Sequence, residues 1–250
     1  MLLALDSSTL TLSLALVRPG PRSLIAEERH GPPDGQSDLL PGVLLQLLER
    51  HGFSLSDVTA FAVGLGPGSF TGLRIGLSTL KGLAYARRVP VVGSSSLAAL
   101  ALDGPEGVPL ATVSIARRGE VYVGRYRRSG ETVEALAPEE AWSEESLLAY
   151  LRDEPEARVL GPALHEGPSP GLRERLLDAD LAPERILSEP AIPSAWAIAR
   201  RTTVPASFDA QALFALEPHY VRASEAERNP KFPPLPGPAP GPRMRGEEDT

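Results

Sequence analysis

The chain has 250 residues, with 25 basic against 32 acidic side chains and a net charge of −7, a balance that gives no global attraction to nucleic acid. It contains no cysteine, which excludes disulfides, thiolate metal sites and a cysteine nucleophile. No apolar run reaches the ~20 residues of a membrane span, and the short apolar start MLLALDSST lacks the leading positive charge of a signal peptide. The expectation is a cytoplasmic protein with room for one large domain or two small ones.

Leu2–Leu5 reads as a short buried strand ending at Asp6. Leu10, Leu12, Leu14 and Leu16 alternate with Thr11, Ser13 and Ala15, the period of a strand with one covered face. Pro19-Gly20-Pro21 is a turn and Ser23–Arg29 a third strand, so the start predicts an antiparallel meander. After a Gly/Pro loop at Gly31–Gly35, the amphipathic spacing of Leu40, Val43, Leu44, Leu47 and Leu48 predicts a helix over Leu39–Arg50, with Pro41 in the first turn where proline is tolerated.

The most informative stretch follows, AVGLGPGSFTGLRIGLSTLKGLAYAR over Ala62–Arg87. An apolar strand at Phe61–Leu65 runs into a glycine–proline turn and then a long helix from Ser69 to Arg87, with Ser69 and Thr71 as candidate N-caps. The pattern is neither GxGxxG nor a GxxxxGK[ST] phosphate loop. Leu73, Leu77, Leu80 and Ala84 form one stripe that docks the helix on its sheet; Gly72, Gly76, Thr79 and Leu83 form a second, rotated away. Interior glycines cost roughly 1 kcal/mol each relative to alanine, so Gly72, Gly76 and Gly82 call for a reason. Close packing within the chain is one, and a flat face for another subunit's helix is the other.

A strand at Pro90–Val92 and a helix over Ser94–Leu102 complete a βββαβα unit. Beyond a boundary at Asp103–Gly107, strand-like Leu110–Ile115, Val121–Tyr126 and Thr132–Ala137 precede helical Glu144–Arg152, a strand at Arg158–Leu160, helical Gly171–Leu177 and strand-like Arg185–Leu187. Ile192–Arg201 and Gln211–Leu216 read as helices. The second part therefore repeats the first topologically. The expected division is a lobe over 1–102, a second over 103–228 whose last segment returns to the first, and a proline-rich tail over 229–250. That tail predicts disorder with polyproline character, as a plain solvated extension or as a PxxP-type ligand.

The motifs LALDSST, GLGPGSFTGLRIGLSTLKGLA, ARRGEVYVGRY at Ala116–Tyr126 and EPHYVRASE at Glu217–Glu225 closely resemble those of the TsaB family. These are bacterial tRNA threonylcarbamoyladenosine biosynthesis proteins, also labelled glycoprotease-like M22. The likeness covers about Leu2–Arg222. It implies an α/β fold of the two-lobed actin/Hsp70/sugar-kinase type, with duplicated βββαβα lobes and mixed sheets. It also implies a non-catalytic protein that partners a TsaD-type transferase, joined by a TsaE-type ATPase, and that dimerises when alone. Contact with tRNA would be indirect or through the partner. The resemblance implies that the interface uses helices of the first lobe, which turns the glycine stripe toward the interface reading. The residues named for it are Leu40, Leu44, Leu47, Gly72, Leu73, Ile75, Gly76, Thr79 and Leu83. On that reading, Gly76→Arg or Leu73→Glu leaves the fold intact and abolishes partner binding.

Catalytic machinery is sparse. His30, His51, His165 and His219 lie far apart in sequence, and no metal site is expected. A histidine that family members often carry ahead of the first helix is replaced here by Gly35. Asp6, Ser7, Ser8 and Thr9 occupy the turn where ATPase-like relatives hold phosphate and its metal, so a magnesium-bound ATP or ADP is one reading and a self-bonded structural turn the other. Relatives commonly have aspartate where this chain has Ile115. Arg117, Arg118, Arg125, Arg127 and Arg128 form a basic hairpin, either a solvated face or a phosphate contact. No Gly-x-Ser-x-Gly elbow is present, and Ser69 has no companion histidine suggested by sequence. The rival readings are a stand-alone ATP-dependent enzyme and a peptidase of the same fold.

Overall fold

The computed structural model describes residues 1–20, 22–31, 40–165 and 171–221. The proline-rich tail, Gly35 and most of the Gly31–Gly35 loop lie outside them. Five strands, β1 (Leu2–Asp6), β2 (Leu12–Arg18), β3 (Ser23–His30), β4 (Ala60–Gly64) and β5 (Val91–Ser94), form the first sheet in the order β3-β2-β1-β4-β5. β1 pairs antiparallel with β2 and parallel with β4, so the sheet is mixed. The alternation of β2 has a different cause from the one expected. Leu14 and Leu16 face one layer, and Ser13 and Ala15 are fully buried in the other.

The two faces are built for different neighbours. Leu3, Leu5, Leu14 and Leu16 pack with helices α1 (Leu40–Arg50) and α2 (Phe70–Arg87) in one core. On the other side Ala4, Ala15 and Ala62 meet Ala195, Ala197 and Ala199 of helix α6 (Ala195–Arg201). Small residues on both partners let a helix lie close to a sheet, where leucines would hold it off. α6 is pinned by its N-terminus: Ala195 N donates to Ser13 Oγ at 2.9 Å, Trp196 N donates to Glu27 Oε1 at 3.1 Å, and Ser194 Oγ caps Ala197 N at 3.1 Å. The chain thus returns to its first lobe near its end.

The second sheet runs β8-β7-β6-β9, from β6 (Pro109–Arg117), β7 (Glu120–Ser129), β8 (Thr132–Ser143) and β9 (Arg158–Leu160). β6 pairs antiparallel with β7 and parallel with β9, the relations of β1 to β2 and β4. Helices α4 (Glu144–Asp153) and α5 (Leu172–Asp178) cover this sheet and are tied by the Arg175–Glu144 ion pair at 2.5 Å. The position matching β5 is reduced: Arg185–Leu187, expected as a strand, forms a 3-10 turn at Pro183–Arg185 and a single parallel bridge from Ile186 to Val159. The amides of Arg185 and Ile186 bond back to Ala182 O and Pro183 O within that turn, which leaves Leu187 N to reach Val159 O at 2.9 Å.

Helix α3 (Ser96–Asp103) lies between the lobes and is buried from Ser96 to Leu102. Leu97, Leu100 and Ala101 face Leu110, Tyr126 and Leu160 of the second lobe, while Ala99 and Leu102 join the α6 core. A helix apolar on every side belongs in an interior. No described helix is long and apolar enough to cross a membrane.

Candidate functional site

A cleft of about 480 Å³ opens between the lobes. The β1–β2 turn contributes Ser8, Thr9 and Leu10, the start of α2 contributes Gly68, Ser69 and Phe70, and the second lobe contributes Ser114, Ile115, Ala116, Tyr122 and Pro162. Ser114 Oγ donates to Pro67 O across the junction at 3.2 Å. Among the described residues, no charged side chain lines this cleft.

Asp6 explains why. Its carboxylate is fully buried and turned inward, with Oδ1 accepting from Ser8 N at 2.9 Å and Ser8 Oγ at 2.6 Å, and Oδ2 accepting from Ser96 Oγ at 2.5 Å. Burial pushes its pKa up, against the lowering effect of these hydrogen bonds. Ser96 Oγ also accepts from Gly66 N at 3.0 Å, so Asp6 fastens the β1 turn to α3 and to the glycine–proline turn. Gly64 leaves room for it, since a Cβ there would overlap the Asp6 carboxylate. The helix start is similarly engaged: Ser69 N donates to Ser8 O at 2.7 Å, and Gly72 N donates to Ser69 Oγ at 3.2 Å. Of the four residues expected to hold phosphate, Asp6 and Ser7 are buried away from the cleft, while Ser8 and Thr9 line it. With its carboxylate held internally by Ser8 and Ser96, and no charged side chain along the walls among the described residues, this turn does not fit a magnesium phosphate. It is the self-bonded structural turn.

The α2 glycines divide. A Cβ on Gly72 would collide with the Ser7 carbonyl oxygen, and one on Gly76 with Ser7 Oγ and, at 3.1 Å, with Leu5 Cδ2. Ser7 Oγ in turn donates to Gly72 O at 2.9 Å. These two glycines receive the chain's own β1–β2 turn. This corrects the expectation that they face a partner, and Gly76→Arg would disrupt the fold rather than leave it intact. Leu40, Leu44, Leu47 and Leu73 are likewise buried inside the first lobe, so Leu73→Glu is no surface change. The resemblance points to the helices of the first lobe, and helical spacing alone does not distinguish a helix's own core face from a docking face.

Ile75, Thr79 and Leu83 are half-buried on the shoulder of α2, with Ile75 and Leu83 touching the first-lobe core. Beside them Gly82 is exposed and has nothing within 4 Å of a built Cβ, and the same holds for Gly42 on α1. Leu45 of α1 is 47% exposed. Gly42, Leu45 and Gly82 are not among the residues the sequence reading names for the interface. Gly82 carried the signal, an interior helix glycine outside both stripes.

The opposite flank of α2 is covered by the end of the chain. In helix α7 (Ala210–Ala215), Leu213 enters the first-lobe core, Phe214 O accepts from Lys81 Nζ at 3.1 Å, and Tyr85 packs against Phe208 and Phe214 with ring centroids 6.4 and 5.6 Å away. His219 pairs with the buried Glu139 at 2.9 Å, and Tyr220 lies 5.8 Å from Phe70. The fold brings His30 and His51, distant in sequence, to the same carboxylate of Glu28 at 3.1 and 3.9 Å, which Arg50 also meets at 2.5 Å. Among the described residues, no group of three His, Cys, Asp or Glu is arranged to hold a metal ion. Three arginines of the basic hairpin are engaged within the chain: Arg117 with Glu120, Arg125 with Glu140, and Arg128 with Gly104 O and Gly130 O.

Residues 35–170, over half the chain, match the family described as TsaD: tRNA N6-adenosine threonylcarbamoyltransferase. The tRNA threonylcarbamoyladenosine biosynthesis protein TsaB of Escherichia coli is 37% identical over 148 residues, 55% of this chain and 63% of that one. The TsaB of Bacillus subtilis is 28% identical over 232 residues, 90% of this chain and 96% of its own length. Thus the chain spans less than two thirds of the first relative and nearly all of the second. Among solved structures, an uncharacterized Pseudomonas aeruginosa protein with similarity to peptidase YEAZ superposes with a TM-score of 0.63 at 27% identity, covering 88% of this chain and 99% of that one. The two mixed sheets, in which β6 relates to β7 and β9 as β1 does to β2 and β4, give the duplicated α/β arrangement that the sequence resemblance implied. The chain belongs to the TsaD/TsaB family of glycoprotease-like proteins.

Proposed function

We propose that this chain is a non-catalytic partner that activates a TsaD-type subunit in threonylcarbamoyladenosine modification of tRNA. The observation that carries this reading is Asp6. The acidic residue of the cleft turn is locked by Ser8 and Ser96, and among the described residues no charged side chain lines the cleft to take over its task. Ser69, the residue a peptidase reading would need, caps α2 through Gly72 N.

The docking surface in this reading is the outer side of α1 and α2: Gly42, Leu45, Ile75, Thr79, Gly82 and Leu83. Two exposed glycines with open space above them allow another helix to approach closely. When alone, the chain pairs with a second copy through the same surface. A TsaE-type ATPase joins the assembly, and tRNA is held through the TsaD-type partner.

The test is transfer of the threonylcarbamoyl group to tRNA by a TsaD-type subunit with and without this chain. Transfer that depends on the chain, unchanged by Asp6→Ala where that variant remains folded, is the expected result. Transfer indifferent to the chain, or ATP turnover by the chain alone that Asp6→Ala removes, overturns the reading.

A further inference from the structure

Four of the nine large apolar side chains exposed among the described residues gather at the interlobe cleft: Leu10 at 64%, Phe70 at 47% and Ile115 at 37% line it or its mouth, and Tyr220 at 42% packs on Phe70. Apolar surface concentrated in a concave site marks a place where something binds. The walls combine Phe70, Tyr122, Leu10, Ile115 and Pro162 with the hydroxyl-bearing Ser8, Thr9, Ser69 and Ser114, and among the described residues no charged side chain lines them. Such a lining suits a proline-rich peptide, whose rings pack on aromatic faces and whose prolines bring no amide donors that a dry groove would leave unpaired.

The chain itself supplies one. Arg74 holds Tyr220 at the mouth, stacking on Phe70 with its guanidinium 4.0 Å from the ring centroid and donating from Nε to the Tyr220 hydroxyl at 3.0 Å. The described residues end one position later, at Val221. Eleven residues beyond Val221 begins Phe-Pro-Pro-Leu-Pro-Gly-Pro-Ala-Pro-Gly-Pro, Phe232–Pro242, which carries no charge and is flanked by Lys231 and Arg243. At about 3.1 Å per residue in the polyproline form, the intervening link has ample reach to turn back into the cleft. The uncharged stretch matches a groove whose walls, among the described residues, carry no charged side chain. Ser69 Oγ, which accepts from Gly72 N, retains its own proton for a peptide carbonyl.

We infer that Phe232–Pro242 docks in the interlobe cleft of its own chain, seated against Phe70, Ile115 and Tyr122.

Because the chain has no cysteine, a single Ala239→Cys provides one site for a nitroxide label in the full-length protein. The expected result is selective broadening of the amide resonances of Leu10, Phe70, Ile115, Ala116 and Tyr122, unchanged on dilution. Adding Phe232→Asp and Leu235→Asp, which lie outside the described fold, should abolish that broadening and leave the remaining spectrum in place. No broadening, or broadening spread over the surface, overturns the inference. So does broadening in isotope-labelled, nitroxide-free chains mixed with nitroxide-carrying ones, which would assign the segment to a second copy.

Discussion

Gly72 and Gly82 sit on the same helix, ten positions apart, and have opposite surroundings. Above Gly72 the carbonyl of Ser7 occupies the space a Cβ would need, and above Gly82 there is nothing within 4 Å. Gly72 lets the β1–β2 turn press against α2, and Ser7 Oγ returns a hydrogen bond to Gly72 O at 2.9 Å. Its conformational penalty is offset inside the chain. At Gly82 no contact within the described residues offsets the same penalty, roughly 1 kcal/mol in a helix interior. The difference teaches that a glycine-rich helix has to be read position by position, and only its unoccupied glycines point to a partner.

The comparison can be broken at either end. Gly72→Ala adds helix propensity yet drives a methyl into a backbone oxygen, and thermal or urea unfolding should show a loss of about 3 kcal/mol. Gly82→Ala makes the same chemical change in open space and should raise stability by about 0.5–1 kcal/mol in the same assay. Equal effects of the two would remove the distinction between the inner and outer sides of α2. The smallest expected effect concerns the turn beneath Gly72. Burial raises the pKa of Asp6 in the folded chain, so as pH climbs above the ordinary carboxylate range the unfolded chain releases this proton while the folded chain retains it. The stability contributed by the protonated side chain is complete below that range and is lost as pH rises through the folded pKa. Asp6→Asn should flatten this part of the stability–pH curve, read as the difference between variant and parent in urea titrations from acid to neutral pH.

Much of this fold was legible in the residues. The apolar run of β1, the leucine alternation of β2, the leucine spacing of α1 and the turn chemistry before α2 anticipated the elements of the first sheet and its helices, because local period and capping act over a few residues. The repeated order of elements anticipated the second mixed sheet. What failed was contact at long range. Ser13 and Ala15 looked like an outward face until α6, some 180 positions on, proved to cover them. The apolar helix residues Leu40, Leu44 and Leu47 have the same spacing whether they face their own sheet or a partner. Asp6 in Asp-Ser-Ser-Thr could be read as a ligand holder or as a self-bonded turn, and the decision lay with Ser96, which the sequence gives no reason to place beside it. Glu28 joining His30 and His51 is of the same kind.

The outer side of α2 as a docking surface is tested most directly at Gly82. Titrating a TsaD-type subunit with parent, Gly82→Ala and Gly82→Arg chains, each first verified as folded by its unfolding curve, separates fold from interface. The account predicts that Gly82→Arg, relieved of the helix glycine penalty, unfolds no more easily than the parent and loses affinity by about a hundredfold, roughly 2.7 kcal/mol. Parent-like affinity of a folded Gly82→Arg chain would contradict it.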